Sequence, residues 1–334
     1  MEYRFLGKTG VKVSNLCFGT LTFGKEADRP TSQALFNRCR DVGINFFDCA
    51  NTYAGGKSEE LLGEFIHDIR HEVVITSKVY FPTSADVNAR GASRKNIMQA
   101  VDASLKRLNT DFLDIYFLHR FDDFTSLPET LRAMDDLVRQ GKVLYIGASN
   151  FAAWQVEKAL GISLNAGWAP IEVLQPMYNL VKRQAEVEIL PMAQSEKLGV
   201  ITYIPLAGGY LSGKYSSTTM PESGRLVTNK MYATRYGADW MGSAVDVFNA
   251  RAQELGVHPA SLAVAWVGSH PAITAPIIGA RNLEQLESSL ASVNINMTPE
   301  LRRSLSDLTP EPPSATDRSE EKTSFNYTAT LEKK

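Results

Sequence analysis

The sequence has few of the residues that form disulfide frameworks or metal sites. Its 334 residues include three cysteines, Cys17, Cys39 and Cys49, with no Cys-x-x-Cys pair among them. We expect three reduced, mostly buried thiols in a reducing cytoplasm. The five histidines do not cluster, so no metal site is predicted.

The sequence also lacks the features of membrane proteins, secreted proteins and nucleic-acid-binding proteins. No apolar run approaches the about 18 residues of a membrane span, and the polar start MEYRFLGKTG does not read as a signal peptide. The formal net charge is −2, so no basic excess indicates nucleic acid or an anionic membrane as the partner. We therefore expect a cytoplasmic protein without a nucleic-acid or membrane partner, and the sequence leaves open whether it is a monomer or a homo-oligomer.

Short apolar runs alternate with longer amphipathic runs along most of the chain. The short runs are rich in Val, Ile, Phe and Tyr and are apolar on both faces, which is typical of strands covered on both sides. The predicted strands are Leu16–Thr20, Ile44–Cys49, Val73–Lys78, Ile115–His119, Val143–Ser149, Val173–Gln175, Val200–Tyr203 and Ala275–Gly279.

The runs between them have helical periodicity. The predicted helices are Thr31–Val42, Ser58–His67, Ser93–Leu108, Leu127–Arg139, Ala152–Leu160, Ala185–Leu198, Val245–Leu255 and Leu283–Ser292. Several are followed by a glycine that fits a helix C-cap, namely Gly141, Gly199 and Gly256.

Eight strands, each followed by a helix, predict an α/β fold of the closed (β/α)8 TIM-barrel type rather than an open sheet. Tyr3–Leu6 and Val11–Val13 predict an N-terminal β-hairpin outside the repeat. The segment Leu206–Gly242 predicts a long loop after the seventh strand, where function is expected. We therefore predict one barrel domain over residues 1–308 and a polar C-terminal tail over residues 309–334. No Gly-x-Gly-x-x-Gly follows a predicted strand, so a Rossmann cofactor site is not expected.

In such a barrel the reactive groups stand at the carboxyl ends of the strands. Asp48, Lys78 and His119 lie at three of these ends, and Tyr53 follows Asp48 in a glycine-rich turn. Each residue alone has an ordinary explanation, as a turn cap, a surface aromatic, a surface lysine or a hydrogen-bonded histidine. Together at one rim, the four predict a catalytic site.

This set suits the reduction of a carbonyl. Hydride addition leaves an alkoxide that needs a proton, and a phenol with a pKa near 10 is a poor acid at neutral pH. We expect the Lys78 ammonium to lower the pKa of Tyr53, with Asp48 keeping the lysine charged and aimed. His119 would donate a hydrogen bond to the carbonyl oxygen and orient the substrate.

Motifs on nearly every strand then resemble one family, the aldo-keto reductases, over residues 1–308. They are Asp48 with Asn51-Thr52-Tyr53, Gly55–Gly63, Thr76-Ser77-Lys78, Leu118-His119-Arg120, Gly147–Phe151, Gln175–Asn179, Pro205-Leu206-Ala207 with Gly213-Lys214-Tyr215, and Pro276–Arg281. The subgroup with voltage-gated potassium channel β-subunits and bacterial sugar-phosphate or glycoside reductases is the most similar. The resemblance implies a catalytic tetrad of Asp48, Tyr53, Lys78 and His119, and NADP(H) as the cofactor.

The cofactor prediction rests partly on chemistry and partly on the resemblance. Ser149, Asn150 and Gln175 carry hydroxyl and amide groups suited to a carboxamide, although Ser149 and Asn150 could equally cap the helix near Ala152. Arg281 could pair with a 2′-phosphate, which favours NADP over NAD. The resemblance implies that Tyr203 lies under the nicotinamide ring. The remaining predicted cofactor residues are Gly19, Thr20, Asp48, Leu206, Gly208, Ser212, Lys214, Arg225, Gly279 and Gln285.

Three positions depart from the family pattern. Ser288 and Ser289 stand where many relatives have Glu and Asn near the adenine or ribose, and Ile204 replaces a serine. The predicted walls of the substrate pocket are aromatic residues that follow strands or lie in the long loop, namely Phe23, Tyr80, Phe121 and Trp240.

The sequence thus predicts an NADPH-dependent oxidoreductase that reduces an aldehyde or ketone, possible substrates including sugar derivatives. The alternative is a cofactor-binding regulatory or interaction subunit with slow redox activity. His119, where channel β-subunits tend to have Asn, and the absence of a long N-terminal extension favour the enzyme. A barrel enzyme without cofactor, such as an isomerase, is disfavoured by Ser149, Asn150, Gln175 and Tyr203. The substrate and the physiological direction stay open.

Overall fold

Eight parallel strands close into a barrel, and a separate two-stranded hairpin precedes it. The computed structural model describes residues 1–318 together with Glu320 and Thr323. The hairpin strands are β1 (Tyr3–Phe5) and β2 (Lys12–Ser14). The barrel strands are β3 (Cys17–Gly19), β4 (Phe46–Asp48), β5 (Val74–Val79), β6 (Leu113–Leu118), β7 (Val143–Ser149), β8 (Ile171–Gln175), β9 (Gly199–Thr202) and β10 (Ala275–Ile278). The last strand, β10, pairs in parallel with both β9 and β3, which closes the barrel. The predicted (β/α)8 barrel and hairpin are therefore confirmed.

Helices cover the outside of the barrel. They are α1 (Arg29–Asp41), α2 (Lys57–Ile66), α3 (Arg94–Leu108), α4 (Leu127–Arg139), α5 (Ala153–Ala166), α6 (Ile189–Ser195), α7 (Arg225–Thr228), α8 (Lys230–Arg235), α9 (Asp239–Glu254), α10 (Pro259–Gly268), α11 (Leu283–Leu290) and α12 (Pro299–Ser306). Within the described part of the chain, no helix is long and apolar enough to cross a membrane.

The hairpin closes the bottom of the barrel. Leu6 and Val13 are fully buried and pack in one cluster with the inward-facing strand residues. A Cβ on Gly199 would lie 2.7 Å from Cδ1 of Leu6, because the hairpin approaches β9 closely. The prediction that Gly199 is a helix C-cap is therefore wrong, and its small size instead admits the hairpin. The active site of such a barrel is expected at the opposite rim, where the carboxyl ends of the strands lie.

The helices differ most from the prediction in two places: one helix starts later, near a proline, and another, which is mostly buried, was not predicted. The predicted helix Ala185–Leu198 is shorter, because α6 begins at Ile189 and so places Pro191 in its first turn, where no backbone donor is needed. Helix α10 was not predicted, since seven of its ten residues are buried and it has little of the amphipathic period that reveals a surface helix. Gly141 and Gly256 follow α4 and α9 with φ of +72° and +66°, as the C-cap prediction requires.

The predicted long loop after the seventh strand contains structure of its own. Helices α7 and α8 and the start of α9 lie in its second half, whereas residues 210–224 form turns and bends without a helix. At the C-terminus, the polar tail predicted over residues 309–334 falls largely outside the described residues. All three cysteines are buried and unpaired, as expected.

Candidate active site

Three neighbouring strands bring the four predicted catalytic side chains together. Asp48 ends β4, Lys78 lies one residue before the end of β5, and His119 follows β6. Lys78 Nζ lies 2.7 Å from both carboxylate oxygens of Asp48, 2.6 Å from the carbonyl oxygen of Cys49 and 3.3 Å from Tyr53 Oη. The Tyr53 and His119 ring centroids are 6.3 Å apart. The ammonium therefore joins the carboxylate to the phenol.

A turn of unusual backbone geometry holds Tyr53 over this pair. Ala54, Gly55 and Gly56 all have positive φ, of 50°, 65° and 98°. A Cβ on Gly56 would lie 2.9 Å from Cδ of Arg107, so this position has neither the space nor the backbone conformation for a side chain. The glycines therefore let the chain reverse directly after the tyrosine and enter α2.

Burial dominates the protonation of the phenol. It raises the pKa of Tyr53 to about 12, although the charge of Lys78 acts in the opposite direction. The expectation that Lys78 would bring this pKa below its ordinary value is therefore wrong, because desolvation of the phenolate outweighs the nearby ammonium. Burial disfavours the Lys78 ammonium too, but Asp48 and Tyr53 raise the pKa of the lysine above its ordinary value. Tyr53 thus holds its proton at neutral pH beside a permanent positive charge.

His119 is a neutral imidazole. Burial, with the charge of Lys78, lowers its pKa to about 3. Its buried Nδ1 has no hydrogen-bond partner in the described part of the chain.

The amide and hydroxyl groups predicted for the cofactor continue the same hydrogen-bond network. Gln175 Nε2 donates to Asp48 Oδ1 at 2.8 Å, and Ser149 Oγ donates to the carbonyl oxygen of Gln175 at 2.9 Å. Asn150 Nδ2 donates to Ser149 Oγ at 3.0 Å. Tyr203 Oη donates to Asn150 Oδ1 at 2.7 Å. These side chains are held in fixed positions by one another.

The competing interpretation of Ser149 and Asn150 as helix caps is wrong. Ala152 is the N-cap residue of α5, and its backbone N–H donates to Gln155 Oε1 at 2.8 Å. Asn150 instead has a φ of +57°, in the left-handed region that asparagine tolerates better than most residues. Its side chain points back to Ser149 and Tyr203 rather than to the helix.

The network lies at a large cavity at the barrel mouth. The cavity has a volume of about 1170 Å³. Most predicted site residues line it, namely Gly19, Asp48, Tyr53, His119, Ser149, Asn150, Gln175, Tyr203, Leu206, Gly208, Ser212, Lys214, Arg225, Gly279, Arg281 and Gln285. Lys78 lies behind this wall and is fully buried.

Thr20 is the predicted cofactor residue that does not reach the cavity. It is fully buried, its Oγ1 donates to the carbonyl oxygen of Asp48 at 3.1 Å, and it accepts from Ser58 Oγ at 2.8 Å. It therefore supports the backbone of Asp48.

The predicted aromatic walls of the substrate pocket lie elsewhere. Phe23 is a core residue, fully buried 5.7 Å from the ring of Phe18. Phe121 packs against Phe151, at 5.2 Å between ring centroids. Tyr80 and Trp240 are also absent from the described walls. The cavity is lined there by Leu21, Thr52, Phe81 and Arg120 instead.

Several further residues line the cavity that were not predicted as site residues. Arg120 and Ser288 belong to motif positions in the sequence but were given no role, although Arg120 directly follows a strand-end histidine. Met231, Tyr232 and Arg235 come from α8, and no strand or motif marks them in the sequence. His258, Glu284 and Ser288 also line the cavity, whereas Ser289 is buried outside it.

Three cations form a cluster in the cavity wall. Burial lowers the pKa of Lys214, and the nearby charges of Arg281 and Arg225 lower it further. In the described chain these three side chains form no salt bridge, and the carboxylates of the wall are Glu284 and the lysine-paired Asp48. Like charges repel, so a cluster of this kind fits an anionic ligand such as a pyrophosphate or phosphate.

Comparisons with known proteins agree with this geometry. The sequence profile described as the Aldo/keto reductase family matches residues 15–308. The chain is 38% identical over 327 residues to the uncharacterized oxidoreductase YrpG of Bacillus subtilis (strain 168), covering 93% of this chain and 97% of that protein.

Two other relatives are named for different roles. The chain is 37% identical to a probable voltage-gated potassium channel subunit beta of Arabidopsis thaliana, covering 88% of this chain and 92% of that protein. It is 32% identical to the versiconal hemiacetal acetate reductase of Aspergillus parasiticus, covering 90% and 94%. With the closed barrel, the strand-end cluster and a profile match over most of its length, the chain belongs to the aldo/keto reductase family of oxidoreductases.

Proposed function

We propose that this protein reduces an aldehyde or ketone to an alcohol, with NADPH as the hydride donor and Tyr53 as the proton donor. The observation that carries the proposal is the contact between the buried Lys78–Asp48 pair and the Tyr53 phenol, 3.3 Å from Lys78 Nζ, in the wall of a cavity of about 1170 Å³. A carbonyl oxygen that reaches this phenol meets a donor that is protonated at neutral pH.

Tyr53 has the properties of a general acid for this reaction. Its pKa of about 12 keeps the proton in place until the carbonyl oxygen gains negative charge. An alkoxide is a stronger base than a phenolate, so the proton then moves to the product oxygen. The Lys78 ammonium stabilises the phenolate that remains, and Asp48 neutralises the ammonium before and after transfer.

His119 orients the carbonyl. A neutral imidazole donates from one nitrogen and accepts at the other, so His119 can hold the carbonyl oxygen with one hydrogen bond without competing for the proton. Its ring lies 6.3 Å from that of Tyr53, centroid to centroid, and this proximity supports a role for both side chains at the same carbonyl oxygen.

The cofactor fits the described residues. NADPH, when bound, supplies the hydride. Ser149, Asn150 and Gln175 would hold its carboxamide, and Tyr203 would lie against its nicotinamide ring. Lys214 and Arg225 would bind the pyrophosphate, with Leu206, Gly208 and Ser212 alongside. Arg281 would pair with the 2′-phosphate, and Gly279 and Gln285 would border the adenosine.

A second candidate function is that of a cofactor-binding regulatory subunit with slow redox activity. The 37% identity to the Arabidopsis channel-subunit protein supports it. The two candidates differ in turnover, since an enzyme completes many cycles on a suitable carbonyl and a regulatory subunit very few. His119 beside Tyr53 favours the enzyme, because it adds a second group for the carbonyl oxygen.

Cofactor titration tests the proposal. We expect NADPH to bind the purified protein tightly and NADH at least about tenfold more weakly, as one lost charge-assisted contact implies. Arg281→Met should raise the Kd for NADPH by about tenfold and leave that for NADH nearly unchanged. Fluorescence titration measures all four constants.

The control is Arg303→Met, which removes an exposed arginine of α12 outside the cavity wall. Equal affinities for NADPH and NADH would remove Arg281 as the selector and leave the reductase proposal in place. Binding of neither cofactor would contradict the proposal itself.

A further inference from the structure

Two arginines of the cavity wall have no part in the proposed catalysis or cofactor binding. Arg120 and Arg235 both line the cavity. In the described part of the chain neither forms a salt bridge with a carboxylate. A guanidinium that lines a cavity without a carboxylate partner keeps its donors available for a planar anion.

Arg120 stands next to the catalytic rim. It directly follows His119, whose carbonyl oxygen accepts a hydrogen bond of 2.9 Å from Asn150 Nδ2. The ring of Phe81 packs 4.8 Å from that of His119, and Phe81 and the exposed Arg120 both line the cavity. A substrate held by His119 and Tyr53 would therefore share its cavity with the Arg120 guanidinium.

Arg235 enters the same region from α8. Its guanidinium lies 5.3 Å from the Tyr232 ring centroid, and Nη2 lies 3.7 Å from the sulfur of Met231. These neighbours are uncharged. Burial raises the pKa of Tyr203 while the charge of Arg235 lowers it, so Arg235 acts on the residue that anchors Asn150.

Two arginines, Arg225 and Arg235, lie near the ring of Tyr232. Arg225 lies 5.8 Å from the ring centroid and belongs to the cluster with Lys214 and Arg281. Gly208 fixes the ring in place, since a Cβ there would lie 2.5 Å from Cδ1 of Tyr232. The charge of Arg235 acts on Tyr203, which donates to Asn150 Oδ1, whereas Arg225 acts on Lys214, and this difference associates Arg235 with the catalytic end of the cavity.

No carboxylate of the described wall neutralises this end. Asp48 is engaged by Lys78 Nζ at 2.7 Å from both oxygens, and Glu284 lies in the first turn of α11 and forms no salt bridge with Arg120 or Arg235 in the described chain. The positive charge of Arg120 and Arg235 in the cavity is thus left for a ligand to neutralise.

We propose that the carbonyl substrate carries a carboxylate or phosphate group, and that Arg120 and Arg235 bind this anion while Tyr53 and His119 hold the carbonyl oxygen. This inference rests on the proposed reductase function. It names the substrate class as anionic aldehydes or ketones.

Matched substrate pairs test the inference. One pair is 4-carboxybenzaldehyde and its neutral methyl ester, and the other is glyceraldehyde 3-phosphate and glyceraldehyde. We expect kcat/KM to be at least about tenfold higher for the anionic member of one pair, mainly through a lower KM. The pair that shows the preference identifies the anion as a carboxylate or a phosphate.

Arg120→Gln and Arg235→Gln should each reduce the charged-to-neutral ratio of kcat/KM by about tenfold. Arg303→Gln, which also removes one positive charge, should keep the wild-type ratio. A loss of the preference in only one variant assigns the anion to that arginine and removes the other from the site. If Arg235→Gln raises the Kd for NADPH and leaves the ratio unchanged, Arg235 belongs to the cofactor.

A binding measurement without turnover completes the test. Benzoate should raise the Tm of the NADPH-saturated protein more than benzamide does, and both arginine variants should lose this difference. Reduction of neutral aldehydes without any preference for anions, and without a benzoate effect, would overturn this inference alone. If the NADPH-bound protein reduces none of the four carbonyls, the proposed function is overturned instead. A benzoate effect would then still support the anion site.

Discussion

The cavity contains two groups of charged residues that differ in how their charge is balanced. The first group, Lys78 with Asp48 and Tyr53, is called the floor of the site. Lys78 is fully buried and contacts Asp48, Tyr53 and the backbone, so its charge is balanced within the protein. In the wall, Lys214, Arg225 and Arg281 form no salt bridge in the described chain, and burial together with the charges of the two arginines lowers the pKa of Lys214. The first group is complete without a ligand, whereas the second is complete only with one.

This difference separates chemistry from binding. A charge that is paired internally can tune a neighbouring proton without depending on what occupies the cavity, which is what a general acid requires. An unpaired charge lowers the stability of the free protein and raises its affinity for an anion. The comparison predicts that removing one charge has opposite consequences in the two groups.

The largest effect is expected from Tyr53→Phe. Loss of general-acid catalysis typically lowers kcat by about 10²–10⁴-fold, while the cofactor contacts are left in place. Steady-state kinetics with a reactive aldehyde, together with NADPH titration of the variant, measures both quantities. A variant with near wild-type kcat would show that another group supplies the proton.

Removal of one partner from the paired group should destabilise the fold. Lys78→Met leaves the buried Asp48 carboxylate with Thr76 and Gln175 as its remaining side-chain donors, which should cost about 3–5 kcal/mol. Urea unfolding monitored by fluorescence gives the free energy. The double variant Asp48→Asn with Lys78→Met should recover part of the loss, because no unpaired charge remains. A single variant within about 1 kcal/mol of wild type would mean that the pair is not tightly coupled.

Lowering the pH should reduce the free energy of unfolding through His119. Its pKa is about 3 in the folded protein and near 6.5 when exposed, so between these values the unfolded state binds a proton that the folded state does not. Stability therefore falls as the pH falls through this window, by up to about 1.4 kcal/mol per pH unit.

Urea unfolding of His119→Asn and wild type, from neutral pH to about pH 5, isolates this contribution. The variant should show the shallower slope. His270 has a pKa lowered by burial to about 4 and adds a similar slope to both proteins, so the difference between them is the quantity to compare. The exposed His67→Asn serves as the control, and equal slopes in all three proteins would contradict the prediction.

The smallest effect should have the opposite sign. Lys214→Met removes repulsion from the unpaired group and should stabilise the free protein by about 0.5 kcal/mol. With saturating NADPH the same variant should be less stable than wild type, because it has lost a phosphate contact. Thermal unfolding with and without NADPH measures both, with the exposed Lys158→Met as the control. If Lys214→Met destabilises the protein in the absence of cofactor, the proposed difference between the two groups is contradicted.

Much of the fold and the floor of the site could be predicted from the sequence. The eight strands appear as apolar runs because each is covered on both faces, and the strand-end rule then places Asp48, Lys78 and His119 at one rim. Helix α10 escaped because a helix buried on most sides has no amphipathic period. Phe23 was misplaced because a loop aromatic can turn to the core as readily as to the cavity.

The sequence by itself therefore determined the order of the elements and the residues at the strand ends, since both follow from local periodicity and position. Only the tertiary structure decided how those residues titrate. Burial at the barrel mouth, which depends on contacts remote in sequence, raises the pKa of Tyr53 despite the adjacent lysine. The tertiary structure also decided that α8 brings Arg235 and Tyr232 to the cavity, because the packing of Tyr232 against Gly208, 24 residues earlier in the printed sequence, has no local signal.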